Sequence, residues 1–201
     1  MDVIFFNGPP KCGKDEAAKF LRANWDALDL PGNPILRRFS HPNKMAFAGL
    51  VDAKIDADGN VETWEAAKDH PHPLLNGKSY RQWQIDFSEK FMKPLYGDDI
   101  FGRLFVNAVH DKTNSSVYLV PDCGFEVEPE TVVTLLPKAR VFLIRIYRRG
   151  CDFSLDSRSY IEAPSIPYEN VYNIHNNGDL AHYHDTLAKL STSIFGFRRP
   201  H

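Results

Sequence analysis

Val3-Ile4-Phe5-Phe6-Asn7-Gly8-Pro9-Pro10-Lys11-Cys12-Gly13-Lys14-Asp15-Glu16 decides how the rest of this chain is read. An apolar run at positions 3–6 is followed by G-x-x-x-x-G-K and then by a helical pattern from about Lys14 to Trp25. The order is strand, glycine-rich loop, helix. Such a loop turns its backbone N–H groups on a di- or triphosphate, and the helix behind it points its positive end at the same oxygens. Gly8, Pro9, Pro10, Lys11, Cys12, Gly13, Lys14, Asp15 and Glu16 are thus the expected nucleotide contacts, with Lys14 as a mobile charge at the β- and γ-phosphates. The hydroxyl residue that usually follows this lysine is replaced by Asp15. A carboxylate is a hard-oxygen ligand for Mg²⁺, directly or through water, and it repels phosphate unless a metal reconciles the two. Asp15 and Glu16 also complement the helix dipole, which needs no metal. Cys12, beside a helix N-terminus, is expected to have a lowered thiol pKa.

Working outward, 201 residues suffice for one α/β domain with a sizeable core. A net charge of −2 leaves no electrostatic footprint for nucleic acid or an anionic membrane. Cys12, Cys123 and Cys151 are far apart and form no C-x-x-C, which points to a reducing compartment and away from disulfides or zinc. No basic segment followed by a long apolar run opens the sequence and no stretch reaches membrane-spanning length, so a cytoplasmic protein is expected.

Further strands are expected at Ile35–Phe39, Val117–Val120, Ala139–Tyr147 and Tyr172–Ile174. Helices are expected from Lys44 to Ala53 behind an Asn43 cap, over Thr63–Lys68, and from Tyr80 to Lys93, broken by Pro94–Gly97. More follow from Asp98 or Asp99 to Lys112, over Pro129–Leu136, and from Asp179 to Ile194. Met45, Phe47, Ala48, Leu50 and Val51 form the expected inner side of the second helix. Apolar strands alternating with helices predict a doubly wound parallel sheet of about five strands, which binds ligand at its carboxyl edge. The whole chain, 1–201, reads as a single domain: a core of 1–43 and 116–201, a helical insertion at about 44–115, and a mobile lid at about 148–168.

Asp122 ends the apolar strand Val117–Val120, where a second acid can hold the Mg²⁺ water shell, so Asp15 and Asp122 are the candidate metal residues. Glu126 could face the same site or simply open a helix. Arg145, Arg148, Arg149 and Arg158 surround the lid, and Arg148 or Arg158 is the favoured catalytic arginine beside Lys14 and Asp122. Arg37, Arg38, Ser40 and Lys44 cluster after the second strand, and Arg81, Trp83 and Gln84 open a later helix. Together they offer guanidinium groups for a phosphate, and an aromatic face and an amide for a base. Trp83 taken alone, four residues before Phe87, is better explained as core. Asn177, in Asn176-Asn177-Gly178-Asp179, is a helix-cap residue and a candidate for the adenine pocket. His70 and His72, and His182 and His184, lack the partners of a metal site.

The G-x-x-x-x-G-K-D stretch resembles the bacteriophage deoxynucleoside monophosphate kinases, members of the P-loop nucleoside monophosphate kinase superfamily. Phe39-Ser40-His41-Pro42-Asn43-Lys44 is similar to their F-A-D-P-x-K. Arg81–Gln84 and Tyr96-Gly97-Asp98 resemble R-x-x-x-Q and Y-G-x-D, and Pro121–Glu126 resembles D-x-R-F-x-x-E. Asn176–Leu180 looks like the family's N-x-G-x-x-x-x-L. The arginine after the acid is Gly124 here, the FADPxK acid is His41, and by count the later acid falls on Glu128. The resemblance implies a three-layer P-loop kinase fold, ATP and Mg²⁺ as cofactors, and phosphorylation of a (deoxy)nucleoside monophosphate. A phage-encoded chain would work in the host cytoplasm. Two other readings stay open: a P-loop kinase of another phosphorylated substrate, of the phosphomevalonate or dephospho-coenzyme A type, and a nucleotide-binding switch without turnover. The sequence leaves open the accepted base and whether the chain is a monomer or a homodimer.

Overall fold

The computed structural model describes residues 1–110, 115–154, 156 and 158–196. Five parallel strands form one sheet in the order β2-β3-β1-β4-β5: β1 Asp2–Asn7, β2 Asn33–Leu36, β3 Ser116–Val120, β4 Arg140–Tyr147 and β5 Val171–His175. The helices are α1 Lys14–Asn24, α2 His41–Val51, α3 Tyr80–Phe87, α4 Lys93–Tyr96, α5 Ile100–Val109, α6 Val127–Leu135 and α7 Leu180–Gly196. Among the described residues no helix is long and apolar enough to cross a membrane. Lys112, the expected end of α5, lies outside the described residues, as do positions 111–114 of the insertion and 155 and 157 of the lid.

Strand β1 is apolar on both faces because it is covered on both. Ile4 and Phe6 pack with Leu21, Trp25, Leu187 and Phe195 of the α1 and α7 layer. Val3 and Phe5 pack with Phe105, Val109 and Val132 of the α5 and α6 layer. Each such fully buried side chain contributes ~1.5–3 kcal/mol relative to exposure. Phe5 also stacks on Phe39 at 5.6 Å, carrying the core to the sheet's carboxyl edge. A third cluster, Phe47, Ala48, Val61 and Tyr80, gives the insertion a core of its own.

The structure corrects several expected elements. Strand β2 ends at Leu36 rather than Phe39 and α2 begins at His41 rather than Lys44, because Asp122 draws the chain into a turn at Phe39 and Ser40. Pro42 fits the first turn, where its missing N–H is not needed. The earlier start turns Asn43, Lys44, Phe47 and Ala48 inward, leaving Met45 and Leu50 exposed instead of buried. Thr63–Lys68 is a run of turns, not a helix, and Thr63 has a left-handed φ of 67° that a helix cannot take. Pro94 does not break its helix: a π segment, Ser88–Met92, widens the turn before it, and the chain stays helical to Tyr96. The second half of the segment expected to be a lid packs into the core. Ile161, Ala163 and Ile166 are core residues, and Asn7, Arg145 and Glu126 bond the backbone at 161–163.

Gly8 leaves β1 with φ of 155°, and a Cβ there would meet the Ile146 carbonyl oxygen at 2.6 Å and Cys12 Sγ at 2.7 Å. Gly150 also has positive φ, 74°, but nothing lies within 4 Å of its missing Cβ. Gly8→Ala is therefore expected to cost ~2–4 kcal/mol, and Gly150→Ala only ~1–2 kcal/mol of backbone strain. Urea unfolding of both variants checks this, and equal losses would show that the close approach at Gly8 carries no energy.

Candidate functional site

The Gly8–Asp15 loop sits at the carboxyl end of β1 and is clamped from several sides. Asn176 Nδ2 donates to the Cys12 carbonyl at 2.8 Å, Tyr183 Oη donates to the Gly13 carbonyl at 3.1 Å, and Arg148 Nη1 donates to the Lys11 carbonyl at 3.1 Å. Asn7, fully buried below the loop, donates to the Cys123 and Ser159 carbonyls and accepts from the Ile161 N–H. Lys14 is 8% exposed and folds back so that Nζ donates to the carbonyls of Gly8 and Pro9, at 2.5 and 2.7 Å. Burial pushes its ammonium below the usual lysine value. The Cys12 thiol is raised, not lowered as its place in the loop suggests, because burial outweighs the nearby Lys14 charge. Glu16 turns away toward α7, where it meets His184 Nε2 at 2.7 Å, and His184 stacks on Phe20 at 4.0 Å.

Beside the loop lies a cavity of about 430 Å³. Asp15 belongs to both, being the last residue of the loop motif and part of the cavity wall. Arg38, Ser40, Lys44, Arg81, Gln84, Asp122 and Arg158 also line it. Helices and turns far apart in the chain deliver these groups to one place.

Each buried cation on this wall already has an oxygen partner. Arg38, 8% exposed, holds Asp15 at 2.6 Å, and Lys44, 5% exposed, donates to Glu65 at 3.0 Å and to Asn60 at 2.8 Å. Desolvation opposes a charged Asp15, but Arg38, backed by Lys68 and Lys14, holds its carboxyl below the usual range. Burial lowers Lys44 despite Glu65. Arg81 pairs with Asp69, and Arg158 with Asp156. Both oxygens of Asp122 accept backbone N–H groups, from Phe39 at 3.0 Å and Ser40 at 2.9 Å. Asp15 and Asp122 both line the cavity and their carboxylates keep acceptor capacity, but among the described residues no group of three or more His, Cys, Asp or Glu side chains is placed to hold a metal ion.

Other expected contacts lie elsewhere. Trp83 stacks on Phe87 at 4.9 Å and meets Phe47 edge-on at 4.7 Å, so it serves the insertion's core and not the cavity. Arg37 is also off the wall, which takes in Arg38, Phe39 and Ser40 after it. Asn177 accepts the Arg149 N–H at 2.8 Å, and the adjacent Asn176 is the one that touches the loop. Glu126 anchors Glu162 and Ala163 rather than facing the cavity. Sequence reasoning missed Asn60, Glu65 and Lys68, which arrive on turns without periodicity, and Phe125 on the other wall. No protein-family model matches the chain, and no curated protein matches it.

Glu128 is 6% exposed at the back of the cavity and accepts the N–H groups of Gly124 and Phe125 at 2.9 and 3.1 Å. Burial, with the Asp122 charge behind it, nevertheless pushes its carboxyl up to about 8 from an ordinary 4.5. Between those values the folded chain holds a proton that the unfolded chain releases, so this group makes stability fall as pH rises from 4.5 to about 8. Glu128→Gln keeps an acceptor oxygen and removes the titration. Its loss of stability between pH 5 and pH 8 is expected to be smaller than that of the parent by on the order of 1–3 kcal/mol in denaturant unfolding. Parallel pH profiles would contradict this.

Proposed function

We propose that the chain transfers the γ-phosphoryl group of ATP, with Mg²⁺, to a (deoxy)nucleoside monophosphate. One observation carries the reading: Arg38, Lys44, Arg81 and Arg158 line a single cavity that meets the glycine-rich loop at Asp15. Phosphoryl transfer asks the protein chiefly for positioning and charge neutralisation, and a donor loop abutting a cationic acceptor pocket supplies both. The motif likeness to the phage deoxynucleoside monophosphate kinases supports the same reading.

In this mechanism the loop N–H groups and the start of α1 hold the donor phosphates. Lys14 leaves the Gly8 and Pro9 carbonyls for the β- and γ-oxygens, a short swing for a flexible side chain. Arg38, Lys44 and Arg81 hold the acceptor phosphate, and Arg158 faces the group in transit. With Trp83 packed in the aromatic cluster, base recognition falls to the Gln84 amide and the Phe125 ring. Mg²⁺ held by Asp15 and Asp122 would neutralise charge on the β- and γ-phosphates. Arg148 steadies the loop from behind through Lys11.

The test is ADP release from ATP and Mg²⁺ with each ribo- and deoxyribonucleoside monophosphate in turn. Stimulation by one or more nucleotides is expected, reduced at least ~100-fold by Lys14→Ala. Lys44→Ala is expected to raise the acceptor KM roughly tenfold through loss of a charged hydrogen bond. A flat panel would sink the nucleotide reading and turn the search to other phosphorylated acceptors.

A further inference from the structure

Gly124 follows β3 at the point where the Arg158 side chain crosses the cavity wall. A Cβ at position 124 would lie 2.7 Å from Arg158 Cγ and 3.2 Å from its Cβ, and nearer still to Cδ. These atoms are the stem of the arginine, so turning its tip relieves nothing. The Gly124 backbone is itself fixed, since its N–H donates to buried Glu128 at 2.9 Å. Gly124 is not among the glycines with positive φ, so its lack of a side chain answers a need for space and not for an unusual conformation.

Arg158 is gripped from the opposite side. Its Nε donates to Asp156 Oδ1 at 2.8 Å and its Nη2 to Oδ2 at 2.5 Å, while the Arg158 backbone N–H also reaches Oδ1 at 3.0 Å. This fork uses one edge of the guanidinium and leaves Nη1 for a ligand. The same cation interacts electrostatically with Lys14 of the loop and with Asp122 and Glu128 of the cavity, which sets it between the two.

We propose that Gly124 and Asp156 are positioning residues for Arg158: the gap at 124 admits the arginine stem, and the Asp156 fork aims the guanidinium at an anionic group held in the cavity. The residue at 124 thereby decides whether this end of the cavity binds a phosphate. The identification of that anion as an acceptor phosphate rests on the function proposed above, but the geometric claim can be tested without it.

The experiment is a double-mutant cycle read by calorimetric titration with inorganic phosphate, not by turnover. Arg158→Ala is expected to weaken phosphate binding ~10–100-fold and Gly124→Ala about tenfold. In the double variant Gly124→Ala should add little further loss, because the Cγ and Cδ it would collide with are gone and only the contact with the 158 Cβ at 3.2 Å remains. Asp156→Ala should weaken binding severalfold and Asp156→Glu should restore most of it. Parent-like binding by Gly124→Ala, additive losses in the double variant, or parent-like binding by Asp156→Ala would each overturn the proposal. If Gly124→Ala fails to fold by circular dichroism, a folded double variant with the affinity of Arg158→Ala supports the proposal, and an unfolded one overturns it. An intact cycle beside a flat acceptor panel would discard the kinase reading and keep this one. Turnover with a broken cycle would do the reverse.

Discussion

The two oxygens of Asp122 accept the N–H groups of Phe39 and Ser40, and the cavity is built around that clasp. It joins the carboxyl end of β3 to the turn between β2 and α2, just past the backbone bond from the Arg37 N–H to the Leu119 carbonyl at 3.0 Å. Arg38 stands just before the bonded pair and α2 starts just after it, so the direction of Arg38 and Lys44 follows from where the turn is pinned. The same carboxylate presses on Glu128 behind it and helps keep that buried acid protonated. Two backbone N–H groups also reach Glu128 and favour its charged form, but burial outweighs them.

Charge around the cavity is paired before any ligand arrives. Arg38 with Asp15, Lys44 with Glu65 and Arg158 with Asp156 form local pairs whose cations are held in place by their partners. Burying a lone ammonium or guanidinium would be costly, and pairing reduces that cost while fixing orientation. The paired cations retain N–H groups, so on the proposed function the wall would meet an anion already arranged. Lys14 follows the same rule, with carbonyls in place of a carboxylate. Carbonyls hold an ammonium without cancelling its charge, so in the proposed mechanism Lys14 can exchange them for phosphate oxygens.

Much of the architecture was legible because apolar period and turn chemistry are local. The run at Val3–Phe6, the glycines after it and the helix from Lys14 appear where their residues indicate, and so do β3, β4, β5 and α7 to within a residue or two. The misreadings fall where distant groups intervene. The stretch Ile35–Phe39 reads as a strand, yet the Phe39 N–H goes to an acid 83 positions away. Pro94 signals a break, yet a π turn absorbs it. The stretch from Arg148 to Tyr168 has loop composition, yet Ile161, Ala163 and Ile166 sit in the core.

The sequence by itself determined the layered α/β arrangement and which cations and acids were available at the sheet's carboxyl edge, since burial on two faces writes continuous apolar strands and loops collect the polar residues. Only the tertiary structure decided which of those groups meet. Arg37 and Arg38 are equivalent as letters, yet Arg38, held to Asp15 at 2.6 Å, lines the cavity while Arg37 does not. Gly124 and Arg158 are 34 positions apart by number, and no local pattern links the missing side chain of one to the path of the other. Exclusion of one atom by another is a property of space, and the chain records it only once it is folded.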